Sequence, residues 1–151
     1  MTVYDKLTAL NITLPPASPP AAAFSLCVRT GNLLFVSGHI AKKDGKPWTG
    51  QLGVNIATDE GKQAARSVAI DLLGTLHAGA GSLDRLRRIV KLLVFVNSSQ
   101  TFTEHHLVAN GASELFREVF GENELPARSA FGVAQIPLGS CVEIELIAEV
   151  V

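Results

Sequence analysis

Apolar residues recur along this chain in two rhythms, and each predicts its own element. Between Thr58 and Leu76 they return every three or four positions, at Ala65, Val68, Ala69, Leu72, Leu73 and Leu76. That is the stripe of a helix lying on a core. Thr58 is placed to cap its N-terminus, Asp59 and Glu60 put negative charge in the first turn, and Gly79 and Gly81 end it. A second helix is expected from about Glu104 to Phe120, burying Leu107, Val108, Leu115, Phe116 and Val119, with Gly121 closing it. A short third helix fits residues 2–10, with Thr2 as cap and Val3, Leu7 and Leu10 at helical spacing.

The second rhythm is that of strands. Phe24 to Arg29 and Leu33 to Ser37 flank Thr30-Gly31-Asn32, a hairpin signal, and Asp44-Gly45-Lys46-Pro47 marks a further turn. Ile89 to Val96 is almost continuously apolar, as in a central strand covered on both faces. Ala127 to Gln135 and Cys141 to Val150, joined around Ile136-Pro137-Leu138-Gly139-Ser140, read as a closing hairpin. The order ββαβαββ predicts an α+β domain with two helices on one face of a sheet. Ahead of it, Leu14-Pro15-Pro16-Ala17-Ser18-Pro19-Pro20 is too rich in proline for helix interior or central strand and predicts an extended arm across the surface. Residues 1–23 are thus a helix and an arm belonging to the same domain as residues 24–151.

Alternation on the last two strands makes a claim about faces. Val142, Ile144, Leu146 and Ala148 point one way, and Cys141, Glu143, Glu145 and Ile147 the other. On the preceding strand Phe131 and Val133 form an apolar set opposite Arg128, Ala130, Gly132 and Ala134. If both apolar sets face the helices, Arg128, Glu143 and Glu145 share the other face over a floor of small residues. No element remains to cover that face, so self-association is expected, with an intersubunit cavity lined by Arg128 as the ligand site.

Composition narrows the partners. The chain has 151 residues, 47% hydrophobic and 18% charged, with a net charge of −1. It carries no basic block of the kind that binds nucleic acid. The two cysteines, Cys27 and Cys141, lie in apolar runs without metal spacing and read as buried, reduced thiols. No leader-like segment opens the chain and no apolar run is long enough for a membrane span, so the expected setting is cytoplasmic and no membrane partner is expected.

Several segments together resemble the Rid/YjgF family (reactive intermediate deaminases, also called L-PSP endoribonuclease-like proteins). They are Phe35-Val36-Ser37-Gly38, Gly79-Ala80-Gly81-Ser82-Leu83, Lys91-Leu92-Leu93-Val94-Phe95-Val96, Asn110, Leu125-Pro126-Ala127-Arg128-Ser129 and Val142-Glu143-Ile144-Glu145-Leu146-Ile147-Ala148. The match runs in order over residues 24–151, in a divergent member with a longer N-terminus. It implies a chorismate-mutase-like fold, a homotrimer with clefts between subunits, and cofactor-free, metal-free hydrolysis of enamines and imines such as 2-aminoacrylate to 2-keto acids and ammonia. In that scheme Arg128 clamps the substrate carboxylate, Glu143 orients the attacking water, and Ser37 and Gly38 shape the pocket that Phe24, Ala130 and Asn110 also line. Three positions depart from the usual pattern: Phe24 replaces a tyrosine, Ala130 a cysteine and His39 a glutamine.

The residue chemistry suits that role. A guanidinium offers paired donors to a carboxylate and stays charged at any working pH; its plain alternative is an ion pair with Glu143 or Glu145. A positioned carboxylate supplies about 10²–10⁴-fold as a general base. Ser37 has no Asp or His at triad spacing, and His105 and His106 point about 100° apart on a helix, so neither a nucleophilic triad nor a metal site is expected. Asn110 is expected mainly to anchor a loop. Two rival functions stand beside the deaminase: a non-catalytic, regulatory binder of a carboxylate metabolite, and an endoribonuclease or translation inhibitor, the older family label.

Overall fold

Backbone pairing turns on one crossover. The structure, a computed structural model, describes residues 1–20 and 22–151; Ala21, within the expected arm, lies outside the described residues. Its main sheet runs β1 (Cys27–Thr30), β2 (Leu33–Ile40), β7 (Val142–Val150), β5 (Leu86–Asn97) and β6 (Ala127–Val133), in that spatial order. A small ribbon, β3 (Lys42–Lys43) with β4 (Lys46–Pro47), turns at Asp44 and Gly45, both at positive φ as a tight hairpin turn demands. Helices α2 (Thr58–Ala80) and α3 (His105–Phe120) pack on each other and on one face of the main sheet, while α1 (Val3–Ala9) leans on α3. No helix of the described residues is long and apolar enough to cross a membrane.

The helices are buried much as their stripes require. All six α2 stripe residues are fully buried, as are Val108, Leu115, Phe116 and Val119 on α3, whereas Leu107 is more than one-third exposed. Gly111 lets the two helices approach: a Cβ there would run into the Lys62 carbonyl oxygen. Thr2 caps α1 in a reciprocal capping box with Asp5. Thr58 does not cap α2. Ala57 occupies the cap position, and the Thr58 hydroxyl instead donates to Glu104 Oε1 at 2.6 Å, tying the starts of the two long helices together. Gly79 lies inside α2, and the stop is Gly81, left-handed at φ 83°.

The last two strands are not a hairpin. β6 pairs parallel to β5, and β5 separates it from β7. The reason is β5–α3–β6: a strand that returns after a crossing helix enters the sheet parallel to the first. That pairing corrects the face assignment too. Leu92, Val94 and Val96 lie beside Arg128, Ala130 and Gly132, and the first three are fully buried under the helices. Arg128 therefore faces α3, and its expected face-sharing with Glu143 does not hold within one subunit. Phe131, expected inside, is on the helix-free face, 43% exposed and stacked edge-on to Phe95 at 5.5 Å. Small residues line β6 beneath α3 because the helix sits close: a Cβ on Gly132 would press on Ser98 and His105. The apolar run in β5 is covered on one face only, since Leu93 and Phe95 belong to the uncovered one.

Candidate functional site

Arg128 is held on its own subunit by neutral acceptors. Nη1 donates to Asn110 Oδ1 at 2.8 Å and to Ser113 Oγ at 3.0 Å, and Nη2 donates to the His106 carbonyl at 3.2 Å. Positions 106, 110 and 113 are four and three apart on α3 and share one helix face. That face is the cradle. Of the five guanidinium N–H donors these contacts use three, leaving Nε–H and one Nη2–H. They sit on adjacent nitrogens, the pairing that a carboxylate accepts with both oxygens. No carboxylate of the described residues lies within ion-pair distance of Arg128. Within one subunit, neither Glu143 nor Glu145 pairs with the arginine. Desolvation even draws its pKa below the ordinary value, so an anion in the surrounding hollow of about 260 Å³ would restore a favourable charge balance.

Glu143 stands on the opposite, helix-free face. Its strand partner is Ile40 of β2, and its carboxylate occupies the space a side chain at Gly38 would need. The register of β2 against β7 shifts between Val36 and His39, so the glycine sits in an irregularity that brings backbone to the carboxylate. Partial burial raises the Glu143 pKa, and the neighbouring Glu145 raises it further. A carboxylate held above its usual range is a better proton acceptor near neutrality than a solvated one.

The remaining expected site residues divide between these places. Ser37 spends its hydroxyl proton on the Ser25 carbonyl at 2.6 Å, fixing the segment before β1 to the Gly38 irregularity. Phe24 is half exposed and borders a groove with Gly38 rather than the Arg128 hollow. Ala130 lies under α3 with Arg128. Asn110 anchors no loop but holds the guanidinium, which corrects its expected role. Ser113 was missed by sequence reasoning, although its three-residue spacing from Asn110 was the available signal.

Comparison with known proteins places the chain in a family. A family model described as Endoribonuclease L-PSP matches residues 15–150. The chain belongs to that family. Protein TCP17 of Trypanosoma cruzi is 47% identical over 149 residues, covering 97% of this chain and 93% of that protein. The 2-iminobutanoate/2-iminopropanoate deaminase of Rattus norvegicus is 34% identical over 131 residues, covering 85% of this chain and 82% of its own. Among solved structures, the Agrobacterium tumefaciens protein Atu1372, described as of unknown function, superposes with a TM-score of 0.90 at 38% identity, over 99% of this chain and 92% of that one. L-PSP-family membership thus rests on residues 15–150, which take in the arm from Pro15 onward.

Proposed function

We propose that this L-PSP-family chain hydrolyses small enamine and imine acids to 2-keto acids and ammonia, in a cleft between subunits of a homotrimer. The observation that carries the reading is the unspent edge of Arg128: a guanidinium fixed at three acceptors, paired with no carboxylate, and opening on a hollow. Relatives named 2-iminobutanoate/2-iminopropanoate deaminase support the substrate class. Because Arg128 and Glu143 lie on opposite faces of one sheet, they can serve one substrate only if two subunits contribute. Arg128, Asn110 and Ser113 of one subunit would then meet Glu143 and Gly38 of its neighbour. Uncovered apolar residues on the Glu143 face, Phe35 and Phe131 among them, give that association its driving force.

The chemistry asks little of the protein. The substrate carboxylate docks on Nε–H and Nη2–H of Arg128. Glu143 accepts a proton from a water as its oxygen bonds to the imine carbon, and the C=N electron pair moves to nitrogen. That proton passes to the nitrogen to give the carbinolamine; a second, from the new hydroxyl group, then moves to the nitrogen as the C–N bond breaks and the C=O bond forms, releasing ammonia and leaving the keto acid. Positioning supplies most of the acceleration, since imines also hydrolyse unaided.

The test is keto-acid release from imines generated in situ by an amino-acid oxidase, with wild type, Arg128→Ala and Glu143→Gln compared. Faster release by wild type alone supports the proposal. Equal rates for all three rule out turnover; saturable binding of keto acids that depends on Arg128 would then assign the chain to the non-catalytic carboxylate binders. That second reading draws on Phe24 and Ala130, which carry neither the hydroxyl nor the thiol that the family resemblance leads one to expect at those positions.

A further inference from the structure

The proline arm does not lie flat on the domain. It crosses α2 at Gly74, where a Cβ would run into the Pro15 carbonyl oxygen. Beyond that crossing it roofs a groove of about 570 Å³ bounded by α2 and by β2 with its following ribbon. The volume is that of a small-molecule site. Apolar walls come from Pro15, Pro19, Phe24, Leu26, Ile40 and Ile70. Polar groups enter at His39, Thr75 and Asp71, with Lys42 also on the lining.

Two of those polar groups are already satisfied by each other. His39 Nδ1 lies 2.7 Å from the Ser37 carbonyl, which can only accept, so Nδ1 carries the proton. Nε2 is then the acceptor for the Thr75 hydroxyl at 2.8 Å. Burial pulls the His39 pKa down, which agrees with a neutral ring. Asp71 is different. Among the described residues it has no hydrogen bond and no ion pair, and Lys42 does not come within ion-pair distance. Desolvation pushes its carboxyl pKa up, although Lys42 and His39 act the other way. Its oxygens still reach solvent, so water serves them in the free protein and a donor of the right shape can take that water's place.

We propose that this groove is a second ligand site, for a small primary amine whose ammonium donates to Asp71 while its apolar body lies against the arm and Ile70. The amine is what the site lacks: a cationic donor for an acceptor-only group, at the end of an apolar slot. An isolated carboxylate ligand finds no free donor beside Asp71. A zwitterion would have to reach out to Lys42, whose ammonium is on an exposed side chain. The groove does not include Arg128, although its lining shares Gly38 with the proposed intersubunit cleft.

Full-length protein would be titrated by calorimetry with 2-phenylethylamine and with 3-methylbutylamine. Phenylacetate is the control, titrated into Arg128→Ala protein so that the other site is silent. Saturable binding of either amine is expected, weakened about tenfold to a hundredfold in Asp71→Asn, the range of one charge-assisted hydrogen bond. Binding should be unchanged in Arg128→Ala and lost in Ile70→Trp, which fills the slot. Asp71→Asn should melt no lower than wild type, because it removes an unpaired, partly desolvated charge. The proposal is overturned if neither amine saturates, if Asp71→Asn binds as well as wild type, or if phenylacetate binds Arg128→Ala as tightly as the amines. A melting temperature several degrees lower in Asp71→Asn would also overturn it, by revealing a structural partner. Keto-acid binding lost in Arg128→Ala but retained in Asp71→Asn would leave the proposed catalytic function standing whichever way the amine result falls.

Discussion

Substituting Arg128 separates ligand recognition from folding, because the two draw on different donors of one guanidinium. Three N–H groups hold Asn110, Ser113 and the His106 carbonyl, and two remain for a carboxylate. A hydrogen bond to a charged group contributes about 1.5–3 kcal/mol net. Arg128→Ala removes two such bonds, so the affinity for a small 2-keto acid should fall by at least about 100-fold, since about 1.4 kcal/mol is tenfold. Arg128→Lys keeps the charge but loses the paired edge and the three-point seat, so a loss of roughly tenfold or more is expected. The stability cost is smaller. The acceptors left behind border an open hollow and can turn to water, so about 1–2 kcal/mol is at stake. For a domain of this size that lowers the melting temperature by roughly 2–8 °C.

Calorimetric titration with 2-oxobutanoate measures the affinities, and differential scanning calorimetry measures the melting temperatures. An Arg128→Ala protein that keeps native circular dichroism and binds within about threefold of wild type would refute the reasoning. So would a lysine variant equal to wild type, because a point charge would then suffice without the fork. Asn110→Ala provides the intermediate case. It leaves the guanidinium in place but releases its shortest contact, and should weaken binding several-fold with little change in melting temperature.

Other consequences follow from the same geometry. Glu143→Gln should slow imine hydrolysis by about 10²–10⁴-fold while leaving keto-acid binding intact. In wild type the rate should rise as pH passes upward through the elevated Glu143 pKa, because the proposed base must be ionised to accept a proton. Linkage gives the stability counterpart. A carboxyl whose folded pKa is raised costs stability fully above that pKa and nothing below its unfolded value, so Glu143→Gln should melt no lower than wild type at pH 7 and lose any advantage on acidification. Phe131→Glu places charge on the uncovered face and should convert a trimer to monomers in size-exclusion chromatography with light scattering; a wild-type protein already monomeric would refute the intersubunit site. Gly111→Ala forces a methyl against the Lys62 carbonyl and should cost about 1–3 kcal/mol, read as a lowered denaturation midpoint in urea. Cys141, fully buried with its thiol pKa pushed up to about 11, should resist a thiol reagent at pH 8 until the chain is unfolded.

Most local signals in the sequence were sound, the cap expected at Thr58 and the stop expected at Gly79 being the exceptions. The α2 stripe, the two hairpin turns and the Thr2 cap each depend on residues within a few positions of one another. The strand pairing did not. Cys141–Val150 follows Ala127–Gln135 through a short connection with Pro137 and Gly139, which reads as a hairpin. The βαβ connection made by α3 instead puts β6 at the sheet edge, where only β5 is its neighbour. Periodicity fixes which residues of a strand point together, but not which of the two sets meets the helices. Phe131 and Val133 were the more apolar set, and burying them was the reasonable expectation. What overrides it is the close seat of α3, which leaves room above β6 only for Ala130, Gly132 and a guanidinium that reaches out to the helix surface.

That reversal sharpens the case for an assembled site. Had Arg128 and Glu143 shared a face, a monomer could have brought them together and the neighbouring subunit would have been an optional wall. On opposite faces of a five-stranded sheet, with β5 between their strands, no side-chain rotation within one chain makes them meet. A second copy presenting its helix-free face near the Arg128 hollow solves two problems together. It covers Phe35 and Phe131, whose exposure a lone subunit would carry into water, and it delivers a carboxylate with raised pKa toward the unspent edge of the guanidinium. Activity and association should therefore be lost together when the uncovered face is charged, and activity alone when Arg128 or Glu143 is changed.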